Sequence, residues 1–446
     1  MSEPTAAHGR VPHLRMLIAV TMALSALAPS APAQAPGPID IGPDRLVSAG
    51  IEARPVVEPW LAVHPTDPSR LLATAIVAST TLTPADEGLP DESFCATWLS
   101  RDGGESWRRR DHPVAGCADP WVVFTSRGTG LFTAVGTDGV RVLRSPDGGA
   151  TWSDDGFPVR DVHDHPMLVV DPTDGPFAGH VYFVSGRHGL NAQRHPRNAV
   201  YVARSADDGR SFPFVEPVIA SNLVYEAQLP VVLSDGTLLV AFSDHRTMDG
   251  RALDVGARRS WTLRSTDGGG TFTEPLFITD ACDGRGGWPM LAAGPDDRVW
   301  FTCVAPGSAG ILVFRSDDRG ESWRGPVRVD GVGRDAWTRT PTLAVSEDGV
   351  LGLAWYDRGA GTEDPCTHVR FTASLDGGES FLPPGRVSTE ASCPETRAND
   401  WAGARFPAGG DYSGLAATGP RAFRVLWSDA RDGVYRLRTA SVRVRR

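Results

Sequence analysis

Short apolar runs recur along the chain, each led by a proline or a polar residue and closed by a turn. The leading run of each set reads Pro59-Trp60-Leu61-Ala62-Val63, Pro120-Trp121-Val122-Val123, Pro166-Met167-Leu168-Val169-Val170, Gln228-Leu229-Pro230-Val231-Val232, Pro289-Met290-Leu291-Ala292, Pro341-Thr342-Leu343-Ala344-Val345 and Tyr412-Ser413-Gly414-Leu415-Ala416. Turn-forming residues follow (His64-Pro65-Thr66-Asp67, Ser234-Asp235-Gly236, Glu347-Asp348-Gly349), and then a second run such as Thr237–Phe242 or Val350–Trp355. Apolar runs this short, bounded by turn residues, predict buried strands rather than helices. A third strand such as Gly139–Arg144 leads into a polar octapeptide and a fourth leaves it. Four antiparallel strands per unit is the blade of a β-propeller.

The octapeptide is the most regular feature of the chain. Ser145-Pro146-Asp147-Gly148-Gly149-Ala150-Thr151-Trp152 fits S-x-D-x-G-x-[ST]-[WF], and further copies begin at Ser100, Ser205, Ser265, Ser316 and Ser374. The start positions differ by 45, 60, 60, 51 and 58 residues, a period that marks a propeller or solenoid. Asp-Gly and Gly-Gly between strands supply the positive φ of a hairpin turn. The Asp carboxylate can accept backbone N–H bonds across the turn, and the closing aromatic packs under it. The copies at Ser205 and Ser316 lose the fourth-position glycine. These octapeptides resemble the Asp boxes of the sialidase-like β-propellers. The resemblance covers most of the chain and implies an all-β propeller. Six similar copies imply a fold staple rather than a ligand site.

Seven strand sets predict seven blades, with six as the alternative because sialidases have six. The last set, Asp411 to Val444, lacks a box, and Arg45 to Ile51 is expected to supply its outer strand and close the ring. Propeller connectivity sorts the loops: the boxes lie on one face, and residues before first strands or after second strands lie on the other, at the channel mouth. All six cysteines fall on the mouth face. Pairing Cys95 with Cys117, Cys282 with Cys303 and Cys366 with Cys393 then staples its long loops.

Residues 1–33 read as a secretory signal, with Arg10 and Arg15 ahead of the apolar run Met16–Leu24 and Ala31-Pro32-Ala33 as cleavage site. A Pro/Ala-rich linker occupies 34–44, and a single propeller domain 45–446. The apolar run is too short for a membrane span. A secreted or periplasmic monomer is expected, and its cysteines agree with an oxidising compartment. The net charge of −10 becomes −11 once the signal's one Glu and two Arg are removed. An acidic surface excludes nucleic acid and anionic membranes as partners. That leaves a glycan or protein ligand at the channel mouth. There is no G-x-S-x-G, H-E-x-x-H, P-loop or zinc-spaced Cys pair, and no cofactor is expected. His163 and His165 alternate with acids in Asp161–His165, but this reads as a solvated loop with His165 packed beside Pro166, and no metal is assigned.

The mouth collects Glu58, Asp119, His163, Asp164, His165, Glu226, Arg339 and Asp411 before first strands, and Asp244, Arg246, Asp357, Arg358, Asp429 and Arg431 after second strands. The repeated S-D-H-R, Y-D-R and S-D-A-R predict structural Asp–Arg bridges between neighbouring blades. Two stretches are sharper. Tyr225-Glu226-Ala227-Gln228, running on to Arg246, resembles the sialidase segment in which a Glu precedes a first strand and an Arg follows the second. Asp411-Tyr412-Ser413-Gly414-Leu415 resembles the segment carrying the sialidase tyrosine. The resemblance implies Tyr412 as nucleophile, Glu226 as its base, Asp119 or Asp164 as general acid and Arg246 as a carboxylate clamp. Arg339, Arg358, Arg370 and Arg431 compete for the remaining clamp position. The family's first-blade Arg-Ile-Pro is replaced by Val57-Glu58-Pro59, and a glutamate there repels a substrate carboxylate. Two functions stay open: an exo-acting glycoside hydrolase, or a propeller that binds glycan or protein without cleaving it.

Overall fold

In six of the seven blades a proline stands at the innermost strand and an apolar run follows it, while blade 7 opens on Tyr412-Ser413-Gly414. The computed structural model describes residues 37–80, 92–137, 139–153, 158–159, 163–187, 198–213, 215–221, 224–245, 247–248, 252–253, 258–283, 287–329, 337–358, 366–394 and 407–445. Beside a separate two-stranded hairpin of Thr247–Met248 and Ala252–Leu253, seven antiparallel blades result. Their innermost strands are Val56–His64, Ala118–Phe124, Asp164–Val170, the pair Val224–Ala227 and Val231–Val232, Met290–Ala293, Thr338–Val345 and Gly414–Gly419. Each innermost strand packs on that of the next blade, and blade 7 packs on blade 1. The protein is an all-β, seven-bladed propeller. In blade 7, Arg436–Val444 pairs with Ala422–Asp429 on one side and with Ile39–Ile41 and Arg45–Leu46 on the other. Among the described residues no helix is long and apolar enough to cross a membrane.

Large aromatics fill the space between blades. Trp98, Trp300, Trp355, Trp427, Tyr182 and Phe301 are fully buried, which is where most of the apolar stabilisation of a propeller resides. The disulfides are Cys95–Cys117, Cys282–Cys303 and Cys366–Cys393, at sequence separations of 22, 21 and 27. On a loop-entropy basis each contributes roughly 2–4 kcal/mol.

The octapeptides form six near-identical turns. Around Asp147, Oδ1 accepts from the Ser145 hydroxyl (2.7 Å) and the N–H groups of Ala150 (3.0 Å) and Thr151 (2.9 Å), while Oδ2 accepts from the Thr151 hydroxyl (2.7 Å). The fourth position requires positive φ, which Gly103, Gly148, Gly268 and Gly377 supply at 69–73°. Where glycine is missing, Asp208 (64°) and Arg319 (61°) take the same left-handed conformation. Both return the cost through ion pairs, Asp208 with Arg144 and Arg319 with Asp235 and Asp297.

The residue just before four boxes is an arginine that reaches the box of the next blade. Arg144 bonds the Asp208 carbonyl (2.9 Å) and carboxylate (2.7 Å), and Arg204 bonds the Gly268 carbonyl (2.8 Å). Arg264 pairs with Glu321 (2.7 Å), and Arg315 bonds the Gly377 carbonyl (2.8 Å). A row of guanidinium staples thus joins blades 2 to 6 along the box face.

The mouth-side Asp–Arg pairs lie within blades rather than between them. Asp244 binds Arg259 directly across the ladder, Asp357 binds Arg370 and Asp429 binds Arg431. A carboxylate at a strand end meets a cross-strand cation sooner than one on a neighbouring sheet.

The boxes give the protein a distinct acid response. Burial opposes ionisation most at Asp147, Asp207 and Asp376, yet the summed hydrogen bonds hold each pKa at about 2. The Ser106 hydroxyl at Asp102 and the Thr271 N–H at Asp267 are the largest contributions there, with the same result of about 2. These folded values lie below the unfolded carboxylate value near 3.9. The stabilisation is therefore complete above about pH 4 and lost as pH falls towards 2. His112, stacked on Phe132 at 4.4 Å, is pushed by burial to about 4, so its contribution is lost between about 6.5 and 4. The melting temperature should fall gently from pH 6.5 to 4 and steeply below, measured by circular dichroism. A flat profile down to pH 2.5 would contradict the assignment.

Candidate functional site

Four first strands open with the same irregularity. The pairing register shifts at Val57/Trp60, Ala118/Trp121, Asp164/Met167 and Arg339/Thr342. At each shift a residue with positive φ precedes a proline: Glu58 (54°), Asp119 (48°), His165 (48°) and Thr340 (46°). Proline has no N–H to give the ladder and bars its predecessor from the right-handed helical region. The pair bulges, which carries Glu58, Asp119 and His165 off the sheet pattern. Strain of this kind clusters at functional sites in proteins, which makes this level of the ring the candidate.

The three side chains gather around Tyr412. Glu58 and Tyr412 are 2 % exposed and His165 7 %. The Tyr412 hydroxyl donates to the Pro120 carbonyl (3.4 Å), and its ring meets Trp121 and His165 edge-on at 5.7 and 6.0 Å. Trp60 stacks on Trp121 and His165 on Trp288, both at 3.6 Å. Trp288 is fixed by its indole N–H to the Ala227 carbonyl (2.8 Å). This aromatic layer separates the mouth from an apolar cavity of about 650 Å³ on the opposite side, where Leu61, Leu168, Leu291, Leu343 and Leu415 line the channel.

Electrostatics divide the mouth into two halves. Burial, then the charges of Glu58, Asp119, Asp411 and Asp164, raise the Tyr412 pKa well above 10, so the phenol is neutral. Burial also raises Asp119, opposed by His165 and reinforced by Asp164 and Asp411. His165 is disfavoured as a cation by burial, but Asp164 and Asp119 outweigh this and raise its pKa well above 6.5. It stands as an imidazolium between Asp164 (Nδ1, 3.1 Å) and Asp119 (Nε2, 3.8 Å). Asp119, Asp164 and His165 offer donor atoms within 4.8 Å of one another, the spacing of a cation site.

The other half is basic. Arg258 pairs with Glu226 (3.1 Å) and lies over Trp288 (5.4 Å). Arg339 and Arg358 both lie over Trp337, at 5.7 and 4.2 Å. Burial lowers the Arg339 pKa, Asp411 and Asp283 raise it, and Arg258 and Arg358 lower it further, which places the three guanidinium groups in one field. Among the described residues the buried Nε atoms of Arg258, Arg339 and Arg358 have no hydrogen-bond acceptor. A buried donor needs an acceptor, and water, a neighbouring loop or a ligand can each supply it.

The structure thus brings Tyr412, Asp119 and Asp164 together and sets Arg339 beside Arg358. Glu226 is held by Arg258, and the carboxylate acting most strongly on Tyr412 is Glu58. Arg246 lies outside the described residues, as does Asp161. Arg431 is occupied by Asp44 and Asp429, each at 2.8 Å, and ties the segment after residue 37 to blade 7. His163 bonds the Ser185 hydroxyl (2.8 Å). Arg258 escaped the sequence reading because it opens a third strand. Cys95 opens a third strand too, and that placement on the mouth face was the signal available.

The fold is a seven-bladed β-propeller. No protein-family model matches the chain, and no curated protein matches it. Among solved structures, a protein of unknown function from Dyadobacter fermentans superposes with a TM-score of 0.50 at 12% identity, over 92% of this chain and 100% of that one. A polysaccharide lyase of family PL25, an ulvan lyase, gives 0.50 at 11% identity, over 87% and 93%. The Hadza microbial sialidase Hz136 gives 0.48 at 15%, over 84% and 75%. At these identities the likeness is one of fold.

Proposed function

We propose that the protein is a secreted, monomeric, glycan-active propeller that takes an acidic sugar into the channel mouth and hydrolyses its glycosidic bond. The observation that carries this reading is a neutral phenol, Tyr412, set among carboxylates and facing three arginines whose buried Nε donors have no acceptor among the described residues. Guanidinium groups pair bidentately with carboxylates, so Arg258, Arg339 and Arg358 hold the sugar's acid group, with Glu226 orienting Arg258. Arg246 is a further candidate for the same role.

In this reading Tyr412 Oη attacks the anomeric carbon and passes its proton to a neighbouring carboxylate, Glu58 or Glu226. Asp119, whose raised pKa keeps a proton available, protonates the departing glycosidic oxygen as its bond to carbon breaks. Asp164 holds His165 beside it. Water then enters, losing a proton to Asp119, and the glycosyl–tyrosine bond breaks as Tyr412 regains its proton. A tyrosine nucleophile is a known exception among glycosidases, which otherwise use paired carboxylates. The glycan-cleaving activity in the names of the lyase and the sialidase agrees with a carbohydrate ligand.

One observation favours a binding module instead. Tyr412 is 2 % exposed and its hydroxyl is already bonded to Pro120. The deciding experiment offers the mature protein a fluorogenic α-sialoside, a uronide and a neutral furanoside, with calorimetry on the free sugars. Turnover confined to the acidic glycosides supports the hydrolase. Binding of the acidic sugars without turnover supports the module. Neither binding nor turnover would sink both.

A further inference from the structure

One seam along the box face is held differently and stays open as a groove. Blades 2 to 6 are joined by Arg144, Arg204, Arg264 and Arg315, the residue before each box. Before the first box that position is Leu99, and the box of blade 2 is reached instead by Arg70, at the Asp147 carbonyl (3.3 Å), and by Arg110, at the Ala150 carbonyl. Beside these two links the seam between blades 1 and 2 holds a groove of about 350 Å³, lined by Leu99, Arg101, Arg108, Arg110 and the Gly149–Ala150 turn. A groove of about 330 Å³ exists at the seam of blades 3 and 4, but its one cation, Arg204, is committed to the Asp267 and Gly268 carbonyls.

The arginines of the open seam are not neutralised. Arg108 and Arg110 lie two apart on the outer strand Arg108–His112, so both side chains project from one face, while Arg109 projects from the other and pairs with Asp111 (2.9 Å). Arg110 is anchored by its Nε to the Ala150 carbonyl (3.1 Å), which leaves its terminal nitrogens for a ligand. Arg101 and Arg108 are exposed, and among the described residues neither pairs with a carboxylate. The described acids nearby are engaged elsewhere: Asp102 within its own box, Asp111 by Arg109, and Glu105 by Arg45 (2.5 Å). On a chain of net charge −10, three convergent cations without a counter-charge among the described residues are a local exception.

We propose that this seam is a second, non-catalytic site that holds an anionic stretch of polysaccharide, its sugar-borne carboxylates or sulfate esters pairing with Arg101, Arg108 and Arg110. The proposal rests on the reading of the protein as glycan-active and adds to it that the polymer is acidic beyond the sugar in the mouth. Guanidinium forks suit both oxyanions. Because the groove is open to solvent, binding weakens as salt screens it.

The test is affinity electrophoresis through gels carrying polygalacturonate, dextran sulfate or neutral dextran. Wild type, an Arg101→Gln/Arg108→Gln variant and Tyr412→Phe are compared. Among the described residues neither substituted arginine has a partner, so the melting temperature of the double variant should match wild type. Retardation is expected in one or both anionic gels, absent in neutral dextran, unchanged in Tyr412→Phe and roughly five- to tenfold weaker in the double variant. Retardation by one gel alone identifies the oxyanion. Equal retardation of wild type and double variant would overturn the proposal, and so would equal affinity of wild type for single-stranded DNA. The two readings fail separately. Retardation lost in the double variant while wild type cleaves nothing leaves the groove standing and removes the hydrolase. Turnover of a small acidic glycoside with no polymer retardation does the reverse.

Discussion

Tyr412→Phe is expected to lower kcat for an acidic glycoside by roughly 10³-fold or more while changing KM little. The substitution removes one oxygen from a side chain that is otherwise packed against Trp121 and His165, so the sugar's acid group still meets the arginines. The oxygen removed is the atom that would bond to the anomeric carbon. With a pKa well above 10, the phenol is not ionised at working pH, and attack depends on a base. Glu58→Gln and Glu226→Gln separate the two candidates, because loss of a general base costs about 10²–10⁴-fold in kcat, whereas loss of the group orienting Arg258 raises KM. Steady-state kinetics read both. Phenylalanine at 412 with turnover within about threefold of wild type would remove tyrosine from the chemistry.

The largest loss of stability is expected from Asp208→Ala, about 3–5 kcal/mol in urea unfolding. Arg144 and Asp208 meet at 2.7 Å with side chains 6% and 8% exposed, and Asp208 also accepts from the Thr129 hydroxyl at 2.7 Å. Removing one partner of a buried pair leaves the other charged and desolvated, and that penalty dominates. Alanine also keeps the strain of φ 64°. Asp208→Gly relieves the strain but still abandons Arg144, so it should fall short of wild type and exceed alanine by about 1 kcal/mol. A loss below about 1 kcal/mol in Asp208→Ala would show that Arg144 finds another partner.

What the sequence disclosed and what it withheld divide along a physical line. The hairpin turns are local: Ser145, Asp147 and Thr151 satisfy one another within seven residues, so the boxes can be read directly. The boxes alone count six, and the seventh blade was legible only from its apolar strand set, which lacks a box. The staples were in principle legible too, since Arg144, Arg204, Arg264 and Arg315 all stand immediately before a box serine, but their partners belong to the next blade. Convergence at the mouth is a property of ring closure. Glu58 and Tyr412 come from opposite ends of the chain, and the resemblance that implied Glu226 as base for Tyr412 carries no information about distance across the ring. Glu58, read as an obstacle to an acidic substrate, is a member of the Tyr412 cluster. Arg431, read as a clamp candidate, was distinguishable only through Asp44, whose position depends on the N-terminal segment joining the last blade.

Glu58, Asp119, His165 and Thr340 occupy backbone conformations in which glycine would be more comfortable. Glycine at any of them would relieve the backbone strain, but at Glu58, His165 and Thr340 it would also remove a buried side chain, in the case of His165 the ring stacked on Trp288, and the packing lost exceeds the strain relieved. The side chains that distinguish the mouth therefore also hold its strained backbone in place, and durability and chemistry fail together at this level of the ring.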